Sequence, residues 1–329
     1  MLNHIMIKEG VLDNPLISIG ITYYRASDTI EKAVSSALAQ TWENIEVIIV
    51  DDFSNDGQEY VLDRVEQQHS CVRVVRCSVN RGVAAARNEI ICHAKGEFLA
   101  FFDDDDESLP ERIEKQYERI VAYERDYAGG AFVICHSARM QRYPDGTQRY
   151  EQTIGTHEGV APCGWDVALR ILTGRPRPHV FGSMASCSQM ARLSTYKVLG
   201  GFDEDFRRSE DTELNVRAAL RGAHFPGIDE PLVDQMMTLT SDKALGDEKF
   251  YALQVLEKHK KFIERYAHYA FCRAWLEGKY DFLQRKYGGF LLKVARLFLR
   301  HPVLTMQRFI WALPNIGFNL RFIRFYHGR

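Results

Sequence analysis

Between Leu16 and about residue 125 the chain alternates short apolar runs with amphipathic segments, and each apolar run stops at polar residues. Leu16–Thr22 (LISIGIT, after Pro15) and Glu46–Val50 (EVIIV) read as buried strands, Val72–Cys77 as a third strand and Glu97–Phe102 (EFLAFF) as a fourth. The residues between them read as helices. Ile30, Val34, Ala37 and Leu38 supply the apolar face of one that ends near Gln40, with Asp28 and Glu31 at capping-box spacing, and Val83–His93 is Ala-rich. Strands joined by crossover helices imply an α/β domain with a mostly parallel sheet covered on both faces. Ligands of such sheets bind beyond the carboxyl ends of the strands. Those ends carry Thr22 and Tyr24, Asp51 and Asp52, and Asp103 to Asp106, so these residues are expected to share one site.

The run Asp103-Asp104-Asp105-Asp106 is the strongest chemical signal. Four carboxylates at the end of an apolar strand repel one another unless a cation neutralises them. Mg2+ and Mn2+ take oxygen ligands of this kind, commonly together with substrate phosphates. The competing reading is a solvated acidic turn, with Glu107 and Glu111 favouring the start of the next helix. An EF-hand loop does not fit, because Ser108 stands where glycine is needed and Pro110 interrupts the loop. A dinucleotide fold does not fit either: Gly20-Ile21-Thr22-Tyr23-Tyr24-Arg25 is not G-x-G-x-x-G, and there is no P-loop. Phosphate charge would then be met by a metal and by Arg87.

The segment from about Gly129 to Thr240 is more irregular, with Arg175-Pro176-Arg177-Pro178, a Gly200-Gly201-Phe202-Asp203 turn, and a helix from about Glu210 to Arg221 stopped by Gly222. From Leu245 onward the chain reads as mostly helical. Expected boundaries are an N-terminal lead at 1–15, a first half at 16–128, a second half at 129–240 and a C-terminal helical, basic region at 241–329.

Three blocks carry a family resemblance. SIGITYYRASDTIEKAVSSALAQTWENIEVIIVDDFSNDG (18–57), NRGVAAARNEIICHAKGEFLAFFDDDDESLPER (80–112) and GGFDEDFRRSEDTELNVRAALRG (200–222) resemble, in order and spacing, the blocks of family 2 glycosyltransferases. The resemblance implies a GT-A nucleotide-diphospho-sugar transferase fold over roughly residues 16–240 and an inverting, non-processive transfer of one sugar. It implies a nucleotide diphosphate sugar donor, a divalent cation (Mg2+ or Mn2+), and a glycan, lipid-linked or protein acceptor, with bacterial surface polysaccharide or glycolipid assembly as the setting. Thr22, Tyr24 and Asp52 would line the nucleoside pocket, Tyr24 packing on the base and Asp52 hydrogen-bonding it. Arg87 would approach the base or the pyrophosphate. Asp103 and Asp104 would lie near the ribose and donor sugar, and Asp105, with Asp103, would hold the metal. In the pair Glu210-Asp211, Asp211 would be the catalytic base. Arg25 departs from the pattern, which often has Asn there, and the Q-x-x-R-W motif of processive synthases is missing. On the residues alone, Glu210 and Asp211 also suit an ordinary helix start. A non-catalytic nucleotide-sugar- or glycan-binding protein on the same scaffold is the rival reading.

Charge separates the tail from the rest. Residues 280–329 hold nine Lys or Arg against one acid, Asp281, so this stretch is +8 while residues 1–279 carry −10. A net charge of −2 argues against nucleic-acid binding. Lys293, Arg296 and Arg300 recur at helical spacing beside aromatics, a pattern suited to an anionic membrane surface, although helices packed on the body would also account for it. No apolar run has the length of a membrane span, no signal peptide is apparent, and the seven cysteines lack zinc-ligand spacing. The expected location is the cytoplasm, peripheral to the inner face of the cell membrane.

Overall fold

The computed structural model describes residues 14–237 and 245–313, and residues 316, 317, 320 and 323 beyond them. The expected lead at 1–15 falls mostly outside the described residues.

The first half is built as the periodicity predicts: β1 (Ile17–Tyr23), α1 (Ile30–Leu38), β2 (Ile45–Asp51), α2 (Tyr60–Gln68), β3 (Val72–Arg76), α3 (Val83–His93) and β4 (Phe98–Asp103). After the acidic run come β5 (Glu107–Ser108) and α4 (Arg112–Tyr123). The second half adds β6 (Ile134–Arg142), β7 (Gln148–Glu151), α5 (Gly164–Thr173), β8 (Gln189–Arg192), α6 (Leu193–Leu199), α7 (Glu210–Leu220) and β9 (Gly227–Met236). Five helices follow: α8 (Leu245–Lys258), α9 (Lys260–Tyr266), α10 (Tyr269–Leu283), α11 (Tyr287–Arg300) and α12 (Pro302–Ala312).

The strands form one sheet in the order β3-β2-β1-β4-β8-β6-β9-β5, with β7 on β6. β3, β2, β1 and β4 are mutually parallel, whereas β8 runs antiparallel to both β4 and β6. The chain moves outward from β1 to β3 and then returns to place β4 on the other side of β1. The order therefore reverses between β1 and β4, and a crevice opens at their carboxyl ends.

Successive side chains of a strand point to opposite faces, so each strand feeds two cores. Val47 and Ile49 join Ile17, Ile19 and Ile21 in one, while Ile48 and Val50 pack with Leu99, Phe101 and the α3 alanines in the other. α3 approaches β1 closely because residue 20 is glycine; a Cβ there would meet Ile90 Cγ2 at 2.3 Å. Val255 and Leu256 of α8 and Ile263 of α9 also enter this second core. The first two C-terminal helices are thus part of the body, α10 packs against it through Tyr269, Cys272 and Leu276, and Arg308 of α12 donates to the Gly174 carbonyl.

One local expectation fails. The capping box at Asp28 and Glu31 does not form: α1 begins after Thr29 without a side-chain cap, and Glu31 pairs with Arg64 instead.

Candidate active site

The polar strand ends meet as their register requires. Thr22 stands beside Asp103 on β4, and Tyr23 beside Asp51 on β2. They open onto a cleft of about 960 Å³ that contains Thr22, Tyr24, Asp52, Arg87, Asp103 to Asp105, Glu210 and Asp211. Asp51 and Asp106, also expected at this site from their strand ends, do not line the cavity.

Its nucleoside side is held by loop-to-loop hydrogen bonds. Asp51 accepts from the backbone N–H and hydroxyl of Ser54. Asp52 is buried, and its two oxygens accept the backbone N–H groups of Arg81 at 2.9 Å and Gly82 at 2.7 Å. This carboxylate thereby fixes the entry to α3, where Gly82 takes φ +93°. Arg25 lies in the left-handed region at φ +52°, which accounts for Asn being common at this position in the family pattern. Its N–H and Nε donate to Ser54, and its guanidinium sits 5.1 Å from the Tyr24 ring. Tyr24 remains 40% exposed and lines the cleft, while its N–H donates to Asp104 Oδ2 at 3.1 Å.

The structure revises the expectation for Arg87. Its side chain is only 4% exposed, donating to Glu210 at 2.5 Å and to Asp103 at 3.3 Å. Glu210 and Asp103 hold this guanidinium protonated despite its burial. Arg87 ties α3, the end of β4 and the start of α7 together rather than offering a free cation to a pyrophosphate. Glu210 is likewise committed: burial raises its carboxyl, and Arg87 opposes that rise. Of the pair, Asp211 is the more accessible, bordering the cleft with Oδ1 accepting from Thr212 N–H. It follows Ser209, whose φ of +61° turns the chain sharply into α7.

The acidic run is under electrostatic tension. Burial, then the neighbouring Asp105, push the Asp104 carboxyl up to about 8. Burial, followed by Asp103 and Asp105, drives Asp106 well above the usual carboxylate range. Asp106 Oδ1 accepts from Met236 N–H, whereas Oδ2 is buried without a hydrogen-bond partner. Donor atoms of Asp103, Asp106 and Cys187 come within 4.8 Å of one another. Crowded carboxylate oxygens fit a hard divalent cation. Cys187 does not, because burial keeps its thiol protonated. Asp105 borders the cleft but is not part of that three-residue group.

Several cleft residues have no clear signature in the sequence: Ala185 to Cys187 before β8, Gln235 of β9, and Asp247 and Tyr251 of α8. Arg207 and Arg208 also border it, and a readable signal existed there, since two adjacent cations precede Glu210-Asp211.

The chain is 39% identical over 102 residues to an Escherichia coli protein, UDP-Glc:alpha-D-GlcNAc-diphosphoundecaprenol beta-1,3-glucosyltransferase WfaP, covering 31% of this chain and 39% of that one. It is 35% identical over 105 residues to the succinoglycan biosynthesis protein ExoO of Rhizobium meliloti, covering 32% and 30% of the two chains. The curated relatives extend beyond the match, with the chain spanning 30% of ExoO and 66% of the Bacillus subtilis glycosyltransferase EpsE. Among solved structures, S. aureus TarS 1–349 in complex with UDP-GlcNAc superposes with a TM-score of 0.59 at 15% identity, over 86% of this chain and 80% of that one, which shows the shared fold. The model of glycosyl transferase family 2 matches residues 18–206, from the first strand through the Gly-Gly-Phe turn and over more than half of the sequence, and the chain belongs to that family.

Proposed function

We propose that this protein is a metal-dependent, inverting glycosyltransferase that moves one sugar from a nucleoside diphosphate sugar to an acceptor hydroxyl in bacterial surface polysaccharide assembly. The observation that carries the reading is the cleft itself, where Asp103 to Asp105 and Tyr24 line one cavity with Asp211. The names of the relatives support the choice of substrates. WfaP is named for glucosyl transfer from UDP-Glc to a diphosphoundecaprenol-linked sugar, and TarS has been crystallised with UDP-GlcNAc. A UDP-sugar donor and a lipid-linked acceptor at the inner face of the cell membrane follow as the proposed pair.

In this reading Tyr24 stacks on the base, and Asp52 shapes the pocket by holding the loop at Arg81 and Gly82. Asp105 and Asp103 would hold Mg2+ or Mn2+, which supplies Lewis-acid stabilisation of the leaving diphosphate. Asp211 accepts the proton of the acceptor hydroxyl as its oxygen bonds to the anomeric carbon and the bond to the diphosphate breaks. The proton ends on Asp211 and the bonding pair leaves with the nucleoside diphosphate. Attack from the face opposite the leaving group inverts the anomeric centre. Arg87 and Glu210 position the two carboxylate-bearing segments and exchange no proton.

The test is a thermal-shift screen of UDP, GDP and dTDP sugars with Mn2+, followed by turnover of any ligand that stabilises the fold. One sugar nucleotide should raise Tm selectively and be consumed. No stabilisation by any of them, or binding without turnover toward acceptor or water, would remove the catalytic reading.

A further inference from the structure

We infer that the outward faces of α11 and α12 form a docking surface for an anionic lipid bilayer. α11 buries only Leu297 among its residues and leaves much of its apolar surface outward. Its inward side carries Lys293, whose ammonium donates to the buried Asp281, whereas Leu291, Leu292, Phe298 and Leu299 face outward, Leu299 being 86% exposed. The exposed large apolar residues of α12 are Val303, Met306 and Ile310, and Leu313 follows at its C-terminus, spaced three, four and three apart as one helical stripe. Nearly half of the exposed large apolar side chains among the described residues fall within 287–320. A concentration of this kind marks an interaction surface, not the scattered hydrophobes of an ordinary exterior.

Charge selects the occupant. Arg285, Lys286, Arg296 and Arg300 are exposed around this surface. The one acid of 280–329, Asp281, is buried and pairs with Lys249 and Lys293. A second copy of the same face would set these cations against one another without a local carboxylate to meet them. An anionic lipid surface meets both needs, accepting the apolar stripe among its chains and the cations at its headgroups. No helix among the described residues is long and apolar enough to cross a membrane, so seating on one leaflet is the available mode. Lys293 does not belong to the basic stripe expected from the sequence, because its charge is used inside. A route to the cleft rests on the lipid-linked acceptor proposed above: α8 lends Asp247 and Tyr251 to the cleft and packs on α10, which carries α11.

Flotation with phosphatidylglycerol and phosphatidylcholine vesicles at low and high salt tests the surface, with L291E/L299E and R296Q/R300Q as variants. All four side chains point outward, so both variants should keep the wild-type Tm. The wild type should float with phosphatidylglycerol and much less with phosphatidylcholine. L291E/L299E should lose at least ~10-fold in partitioning, and R296Q/R300Q should lose about 30-fold at low salt and little at high salt. The inference is overturned if the wild type ignores phosphatidylglycerol, if both variants float equally with it, or if the wild type is a dimer that L291E/L299E converts to a monomer. Donor turnover with a soluble acceptor should be the same in all three proteins. Its absence throughout, with flotation intact, would end the catalytic reading and leave the docking surface standing.

Discussion

Replacing Arg87 with Met tests whether the centre of the site is held by charge. Arg87 is buried between Glu210 and Asp103, and the methionine would fill much of its space near Phe101 and Phe202 while removing the cation. Removing one partner of a buried pair leaves an uncompensated charge and costs ~3–5 kcal/mol. Unfolding entropy of roughly 2.1 cal/mol/K per residue gives about 0.7 kcal/mol/K for 329 residues. The variant should therefore melt ~4–7 °C lower at neutral pH. The sign of its pH dependence follows from Glu210, which burial already raises. Without Arg87 that carboxyl rises further, so the folded chain takes up a proton at a pH where the unfolded chain stays ionised. Stability relative to wild type must then recover as pH falls. Differential scanning calorimetry at pH 7.5 and 5.5 should show the deficit shrinking, and R87M/E210L should recover most of it even at pH 7.5. A variant within ~1 °C of wild type, or a double variant whose losses simply add, would refute the idea that a paired buried charge holds the site.

Asp211→Asn should leave donor affinity and fold intact and lower turnover by about 100-fold or more, measured as kcat and Kd separately; lost affinity with unchanged turnover of bound donor would move Asp211 into the binding site. Chelation and Asp105→Ala should each abolish transfer, with Mn2+ restoring only the chelated wild type, and full activity in both cases would take the metal out of the reaction. Burial holds the His136 imidazole down at about 3 with neither ring nitrogen hydrogen-bonded. The unfolded chain takes up this proton near pH 6.5 and the folded chain does not, so the group costs about 2 kcal/mol at pH 5. His136→Leu should gain ~3 °C on wild type between pH 7 and pH 5; parallel melting curves across that range would contradict the assignment.

The sequence made the parallel half legible because β1, β2 and β4 are largely apolar and alternate with segments of helical character. Val83–His93 was readable to the residue, since an Ala-rich run leaves little competition for helix. The gathering of Thr22, Asp52 and Asp103 was legible too, because parallel strands bring their carboxyl ends to one edge. What escaped depends on pairing across distance. Arg87 and Glu210 are 123 positions apart, and no local pattern tells a buried ion pair from a free cation beside a cleft. Arg112 closes off a similar surprise. It is fully buried with Ser108, Gln116 and the Phe101 carbonyl as partners, where its sequence context suggested only a helix start. β8, β6 and β9 were hidden because polar Gln, His and Arg residues occupy them, and their partners lie far along the chain, Arg139 donating to Gln235 and Gln189 to Asn215. Lys293 looked like part of an exposed stripe because helical spacing gives an angle around the axis but does not say which side the body occupies.

The Arg87–Glu210 contact also bears on the order in which the chain matures. During synthesis Arg87 and Asp103 leave the ribosome more than a hundred residues before Glu210. The parallel half can pair its strands in that interval, since β1 to β4 are close in sequence. It cannot bury its arginine against the missing carboxylate, and closing so long a loop is slow compared with local pairing. Until Glu210 has been made, the cleft cannot be locked by this pair, whatever the state of the strands. The two sides of the cleft come under common constraint only when α7 docks, so a locked cleft cannot precede that step.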